Sequence, residues 1–196
     1  MHSLTASLVY KKPIEEVTKL ERSIGKKTNF SVLYGSGASN LGDNIGKSTH
    51  EAKKIIDAFY KAYPSLKAYF DRGYQDALER GYILIDSIIG RKSYLGPERD
   101  TKALAEIYRH NQNYKIQGNG ANISKRALIY LRNHAEAYKY KIVLAVHDEC
   151  IVECAKEHAE EVQHILTFCM EEASKDFNQG VVIPAEAIIN KMWLKD

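Results

Sequence analysis

Apolar residues recur at helical spacing through most of the first two-thirds of the chain. His2–Tyr10 reads as a short helix. Pro13 follows, a favoured first helical residue, with Glu15 and Glu16 in the turn where the helix dipole favours acid. Ile14, Val17, Leu20, Ile24 and Leu33 then fall at roughly helical intervals, which predicts one long helix from Pro13 to about Tyr34. Gly35-Ser36-Gly37 closes it. Ser48 followed three residues later by Glu51 is a capping-box signature and opens a helix to about Tyr63. Pro64 interrupts the pattern, and a further helix runs to about Arg80, where Gly81 ends it.

Beyond Gly81 the pattern changes. Tyr82–Asp86 and Lys92–Leu95 predict a β-hairpin around Gly90. Lys102–Asn113 and most of Gly118–Tyr140 read as helices. Ile142–Val146 is a continuous apolar run and predicts a buried strand; His147 and Asp148 interrupt it, and Cys150–Cys154 forms the second arm of a hairpin. Lys156–Lys175 is an amphipathic helix, and Val181–Ile188 predicts a last strand. Helices first, then strands with covering helices, is an α+β order. The change of character places a domain boundary near residue 113, giving regions 1–113 and 114–196.

Composition narrows the class. A chain of 196 residues, 44% hydrophobic and 27% charged, can bury its own core and is ordinary for a globular protein. A net charge of +3 says little; its distribution says more. Residues 1–35 carry Lys11, Lys12, Lys19, Arg22, Lys26 and Lys27 against Glu15, Glu16 and Glu21. That excess fits an anionic ligand or a solvated basic helix face. Three cysteines without a CxxC pair argue against a disulfide framework or a zinc site. With no apolar leader and no run of membrane-spanning length, the expectation is a cytoplasmic protein without a membrane partner.

Three groups of residues carry candidate chemistry. Arg22, Lys26, Phe30 and Tyr34 are four apart, so they form one slowly turning stripe, roughly 18 Å long, on a helix. Two cations followed by two rings suit the phosphates, sugar and base of a nucleoside triphosphate; a solvated basic end beside a buried aromatic end is the alternative. His147-Asp148-Glu149 sits between two apolar strands. It is either a plain polar turn or a carboxylate presented to Mg²⁺, and a two-ion site for phosphoryl transfer needs carboxylates converging from more than one strand. Arg109, Asn113 and Gln117 are again four apart, with donors and acceptors suited to phosphates and base edges, or to a solvated helix surface.

Taken together, the three resemble a known family. Arg22-x3-Lys26-x2-Asn29-Phe30-x3-Tyr34-Gly35, continued by Ala38 and Leu41, resembles the fingers motif of the A-family, DNA polymerase I-like polymerases. Arg109-x3-Asn113-x3-Gln117-Gly118 resembles that family's primer-template contact region, and Val146-His147-Asp148-Glu149 its last palm motif. His2 sits where the family has a phosphate-contacting histidine. Gly25 inside the fingers helix and the segment Asn119-Gly120-Ala121-Asn122 depart from the usual pattern.

The resemblance implies a mostly helical fingers subdomain (1–113) followed by the C-terminal half of an antiparallel palm sheet with covering helices (114–196). It implies DNA-directed DNA polymerase chemistry, the addition of deoxynucleotide to a primer 3′ end. His2 and Arg22 would hold outer phosphates. Lys26 would neutralise the triphosphate, and Phe30 and Tyr34 would frame the nascent base pair. Asp148 would bind Mg²⁺ with Glu149 in support, and Arg109, Asn113, Gln117 and His147 would follow the primer-template DNA. The family's first palm motif, with its metal-binding aspartate, matches nothing here. The expectation is a two-Mg²⁺ site completed by an aspartate outside this chain, a second polypeptide carrying that motif and a thumb, and inactivity alone. A phage-type single-subunit RNA polymerase shares part of the pattern, but Asn29-Phe30 favours the DNA enzyme. A non-catalytic nucleic-acid-binding module is the alternative from another class.

Overall fold

The computed structural model of the protein describes residues 2–193. Its first element, α1 (His2–Tyr10), has the expected limits. The single helix expected from Pro13 does not form. A 3₁₀ turn, Ile14–Glu16, is followed by extended Val17, and α2 (Lys19–Leu33) starts afresh. The cause is a capping box. The Glu21 amide donates to Thr18 Oγ1 at 3.3 Å, and the Thr18 amide donates to the Glu21 carboxylate at 2.8 Å. This satisfies N-terminal donors locally and fixes the helix start, overriding an apolar periodicity that runs straight through it.

Gly35, at φ +73°, turns the chain after α2. The segment that follows holds a helix the sequence pattern did not announce, α3 (Ala38–Ile45), closed by left-handed Gly46. α4 (Thr49–Ala62) carries the expected Ser48–Glu51 box, and α5 (Pro64–Arg80) begins on Pro64. β1 (Tyr82–Asp86) and β2 (Arg91–Tyr94) pair antiparallel, with Tyr82 opposite Tyr94 and Leu84 opposite Lys92. Two separate helices were expected next. Instead α6 (Thr101–Asn133) runs unbroken for 33 residues through Gly118 and Gly120. Each glycine costs about 1 kcal/mol of helix propensity, too little to break a ladder supported on both sides.

β3 (Tyr140–Val146) and β4 (Glu149–Cys154) form the second antiparallel sheet, with a bulge at Val143. The apolar run of β3 was expected to be buried. It is not: Ile142, Val143 and Leu144 are 39%, 58% and 39% exposed. A two-stranded ribbon covers one face at most, and here the covered side is that of Tyr140, Cys150 and Val152, which pack against α7 (Ala159–Phe177). The last expected strand, Val181–Ile188, is irregular. Strand-forming composition makes no strand without a partner ladder, and this segment is tied to α7 instead. The Ile183 amide donates to Ser174 Oγ at 2.8 Å, the Ala185 amide to the Glu171 carboxylate at 3.2 Å, and Gln163 Nε2 to the Ala187 carbonyl.

The architecture is therefore α+β, with most residues in helices and two small antiparallel sheets. The chain divides within α6 into units Met1–Ile116 and Gln117–Asp196. One core of the first unit gathers Leu41, Ala52 and Ile55. The core of the second gathers Leu131, Tyr140, Val162, Ile165, Leu166 and Cys169, with the Tyr140 hydroxyl donating to the Leu131 carbonyl at 2.6 Å. No described helix is long and apolar enough to cross a membrane.

Candidate functional site

In the first unit the site is built on α2. Gly25, Thr28, Asn29 and Val32 face inward, while Arg22, Lys26 and Phe30 are exposed along the adjoining face and Tyr34, the C-cap, is half-buried. The order along the surface is cation, cation, ring, ring. Phe30 and Tyr34 stack with centroids 5.6 Å apart and planes 29° apart. The Lys26 ammonium lies 5.8 Å from the centre of the Phe30 ring. The Phe30 ring stays 39% exposed, so it is a surface platform and not a core residue.

α1 adds His2 to this face. Its ring lies 5.9 Å from that of Phe30. Two features bring the helices together. Gly25 has no Cβ, and one built there would stand 2.3 Å from the His2 carbonyl oxygen and 3.0 Å from the Ala6 nitrogen. The glycine that looked like a defect in the helix is thus what lets α1 and α2 touch backbone to backbone. Inside the contact, Thr5 Oγ1 donates to Asn29 Oδ1 at 2.7 Å, and Asn29 Nδ2 lies 2.9 Å from His2 Nδ1. Burial lowers the His2 pKa below its ordinary 6.5, and the positive charges of Arg22 and Lys26 push the same way.

The C-terminal end of α2 is fixed by α6. A Cβ at Gly35 would stand 2.8 Å from Arg109 Cγ and 2.8 Å from Gln112 Oε1. Gln112 is buried and donates to the Tyr60 hydroxyl at 2.8 Å. The close approach brings Arg109 beside the end of the stripe, where its guanidinium is exposed and 3.4 Å from Glu106. Asn113, one turn on, is half-buried, and Gln117, on the same helix but in the second unit, is exposed. Asn29, Thr5 and Gln112 were not among the expected site residues. Asn29 and Gln112 gave one signal, a polar residue on the inward side of a helix; the pairings themselves span 24, 27 and 52 positions and leave no local trace.

In the second unit His147, Asp148 and Glu149 all lie exposed at the β3–β4 turn. Val146 pairs with Glu149, so His147 and Asp148 form a two-residue connection. His147 takes φ +54°, a left-handed conformation uncommon outside glycine. Asp148 thus projects from a short turn on a rigid ribbon. Its hard oxygens suit one ligand position of Mg²⁺, with Glu149 adjacent. Among the described residues no group of three or more His, Cys, Asp or Glu gathers as a metal cage.

Comparison with known proteins identifies the family. A family model described as DNA polymerase family A matches residues 1–195. DNA polymerase I of Aquifex aeolicus is 34% identical over 204 residues, covering 100% of this chain and 34% of that protein. The thermostable DNA polymerase I of Thermus aquaticus is 30% identical over 196 residues, covering 99% of this chain and 23% of that protein. Among solved structures, the POL domain of Pol1 from M. smegmatis, in complex with DNA primer-template and dNTP, matches with a TM-score of 0.77 at 27% identity, over 88% of this chain and 31% of that one. The chain therefore spans about a third or less of the length of these relatives.

Proposed function

The chain belongs to DNA polymerase family A, and on that footing we propose that it forms the nucleotide-binding fingers and part of the palm of a template-directed DNA polymerase. The observation that carries this reading is the exposed Arg22-Lys26-Phe30-Tyr34 stripe, with its two rings stacked and His2 drawn to it. His2 and Arg22 take the outer phosphates of a dNTP. Lys26 stands where it neutralises charge that builds on the triphosphate as the bond to the leaving pyrophosphate breaks. Phe30 and Tyr34 offer flat apolar surface to the sugar and base. Arg109, Asn113, Gln117 and His147 contact the primer-template.

Asp148 is the residue of this chain suited to hold Mg²⁺, with Glu149 in support. When bound, a pair of such ions activates the primer hydroxyl and stabilises the leaving oxygen. One turn does not cage two ions, so the reading assigns the remaining carboxylate, and the thumb, to a segment beyond these 196 residues, on the same or another polypeptide. The setting it implies is cytoplasmic.

The test is primer extension with Mg²⁺. The 196-residue chain alone is expected to show none, and addition of a polypeptide with an aspartate-bearing palm strand and thumb is expected to restore it. Arg22→Ala with Lys26→Ala should then abolish dNTP use while primer-template binding persists. Extension by the chain alone overturns the split of the carboxylates, and full activity of the double variant overturns the stripe as the dNTP site.

A further inference from the structure

Where α1 crosses α2, two polar side chains are sealed into the contact. Asn29 is 2% and Thr5 1% exposed. An apolar residue at either position would avoid the cost of burying an amide and a hydroxyl, so their presence calls for a role in what they bind. Their bonds form one chain: Thr5 Oγ1 donates to Asn29 Oδ1 at 2.7 Å, and Asn29 Nδ2 meets His2 Nδ1 at 2.9 Å.

We propose that Asn29, its amide oriented by Thr5, is a positioning residue that holds the His2 ring neutral with its proton on Nε2, so that His2 meets an anion as a hydrogen-bond donor and not as a cation. An amide nitrogen only donates. With Oδ1 turned to Thr5, the nitrogen is turned to His2, and Nδ1 must offer it a lone pair. An imidazolium would set one N–H against another. Phe30, 5.9 Å away, packs against the ring and restricts its rotation. Burial opposes a second proton on the ring, and the positive charges of Arg22 and Lys26 oppose it too. The cationic charge of the stripe then comes from Arg22 and Lys26 alone, and His2 adds geometry. This inference rests on the reading of the stripe as a triphosphate site for its anion, but the tautomer itself does not.

The experiment therefore reads the tautomer directly. The full chain is labelled with nitrogen-15 at histidine and followed by long-range proton–nitrogen correlation at neutral pH, without nucleotide. The expected result for His2 is an unprotonated Nδ1 and a protonated Nε2, persisting below the pH at which a free histidine charges. Asn29→Leu should lose the fixed tautomer, and Thr5→Val should do so in part. A protonated Nδ1 in the wild type overturns the proposal, as does a wild-type tautomer that survives in Thr5→Val and in a folded Asn29→Leu. If Asn29→Leu does not fold, the wild-type spectrum and Thr5→Val decide. A dNTP titration on the same Nε2–H signal separates the two readings. A shifted signal supports the triphosphate site. A fixed tautomer that ignores dNTP leaves the inference standing and removes the phosphate role of His2.

Discussion

Gly25→Ala sets helix propensity against packing. Alanine is the better helix former by about 1 kcal/mol, so an exposed helix would gain from the change. Here the added Cβ meets the His2 carbonyl oxygen at 2.3 Å, the Ala6 nitrogen at 3.0 Å and the Ala6 Cβ at 3.2 Å. The first two are backbone atoms, so no side chain can rotate away, and α1 must retreat by about 1 Å to reach ordinary contact. Overpacking of this kind costs about 1–3 kcal/mol. The retreat also stretches the Thr5–Asn29–His2 bonds, now 2.7 and 2.9 Å, each worth about 1 kcal/mol when made. The costs exceed the gain, and the net expectation is destabilisation by about 2 kcal/mol. Gly120 supplies the control. It lies inside α6, and a Cβ there meets nothing within 4 Å. Gly120→Ala should therefore stabilise by about 0.5–1 kcal/mol. Urea unfolding at constant slope reads both. If both alanines raise the midpoint, the backbone contact between α1 and α2 is not as described.

Three further outcomes follow from the geometry. Lys26→Ala should slow nucleotide incorporation by a complete polymerase carrying these residues about 100- to 1,000-fold and leave primer-template affinity unchanged; near-normal turnover would reduce Lys26 to a basic helix surface. The Glu21 carboxyl is held down at about 2, chiefly by the Lys12 ammonium and then by the Thr18 amide and hydroxyl. A carboxyl depressed in the fold contributes stability that is complete above its ordinary 4.5 and lost as pH falls toward 2. Glu21→Gln should flatten the acid limb of a pH–stability curve in that window, and coincident curves would contradict the assignment. Val143, 58% exposed at the β3 bulge, is an apolar edge open to pairing. The 196-residue chain is therefore expected to self-associate in sedimentation, and Val143→Lys to reduce this without changing the circular dichroism; a chain that stays monomeric, or association unchanged by the substitution, would contradict the assignment.

Legibility in the sequence followed the range of the forces involved. Local signals were readable: the Ser48–Glu51 box, the Pro64 start and the Tyr82–Tyr94 hairpin all appear. The Thr18–Glu21 box is equally local, but the apolar spacing of Ile14, Val17 and Leu20 ran across it and hid the break. α3 is short, carries Gly42 and follows a glycine-rich turn, so nothing in its pattern marked it. Val181–Ile188 has the composition of a strand, but a strand is a property of two segments. The same divide holds in the site. The four-residue spacing from Arg22 to Tyr34 was visible because a helix turns it into a stripe. Gly25 read as a flaw because the surface it makes room for lies on another helix.

The tether between α7 and the segment after it has a consequence for exchange with solvent. The backbone groups fixed to α7 belong to residues 183, 185 and 187, every second position. Their partners on the helix, Ser174, Glu171 and Gln163, run in the opposite direction. Deuterium uptake along this stretch should therefore be uneven, with the Ile183 and Ala185 amides slow and the Val182 amide fast, while Pro184 between the slow pair carries no amide N–H. The slow pair should open at the rate set by α7 and not at a rate of their own. In kinetic terms the segment has no independent stability: it orders when α7 orders, and it becomes a target for proteolysis when α7 frays.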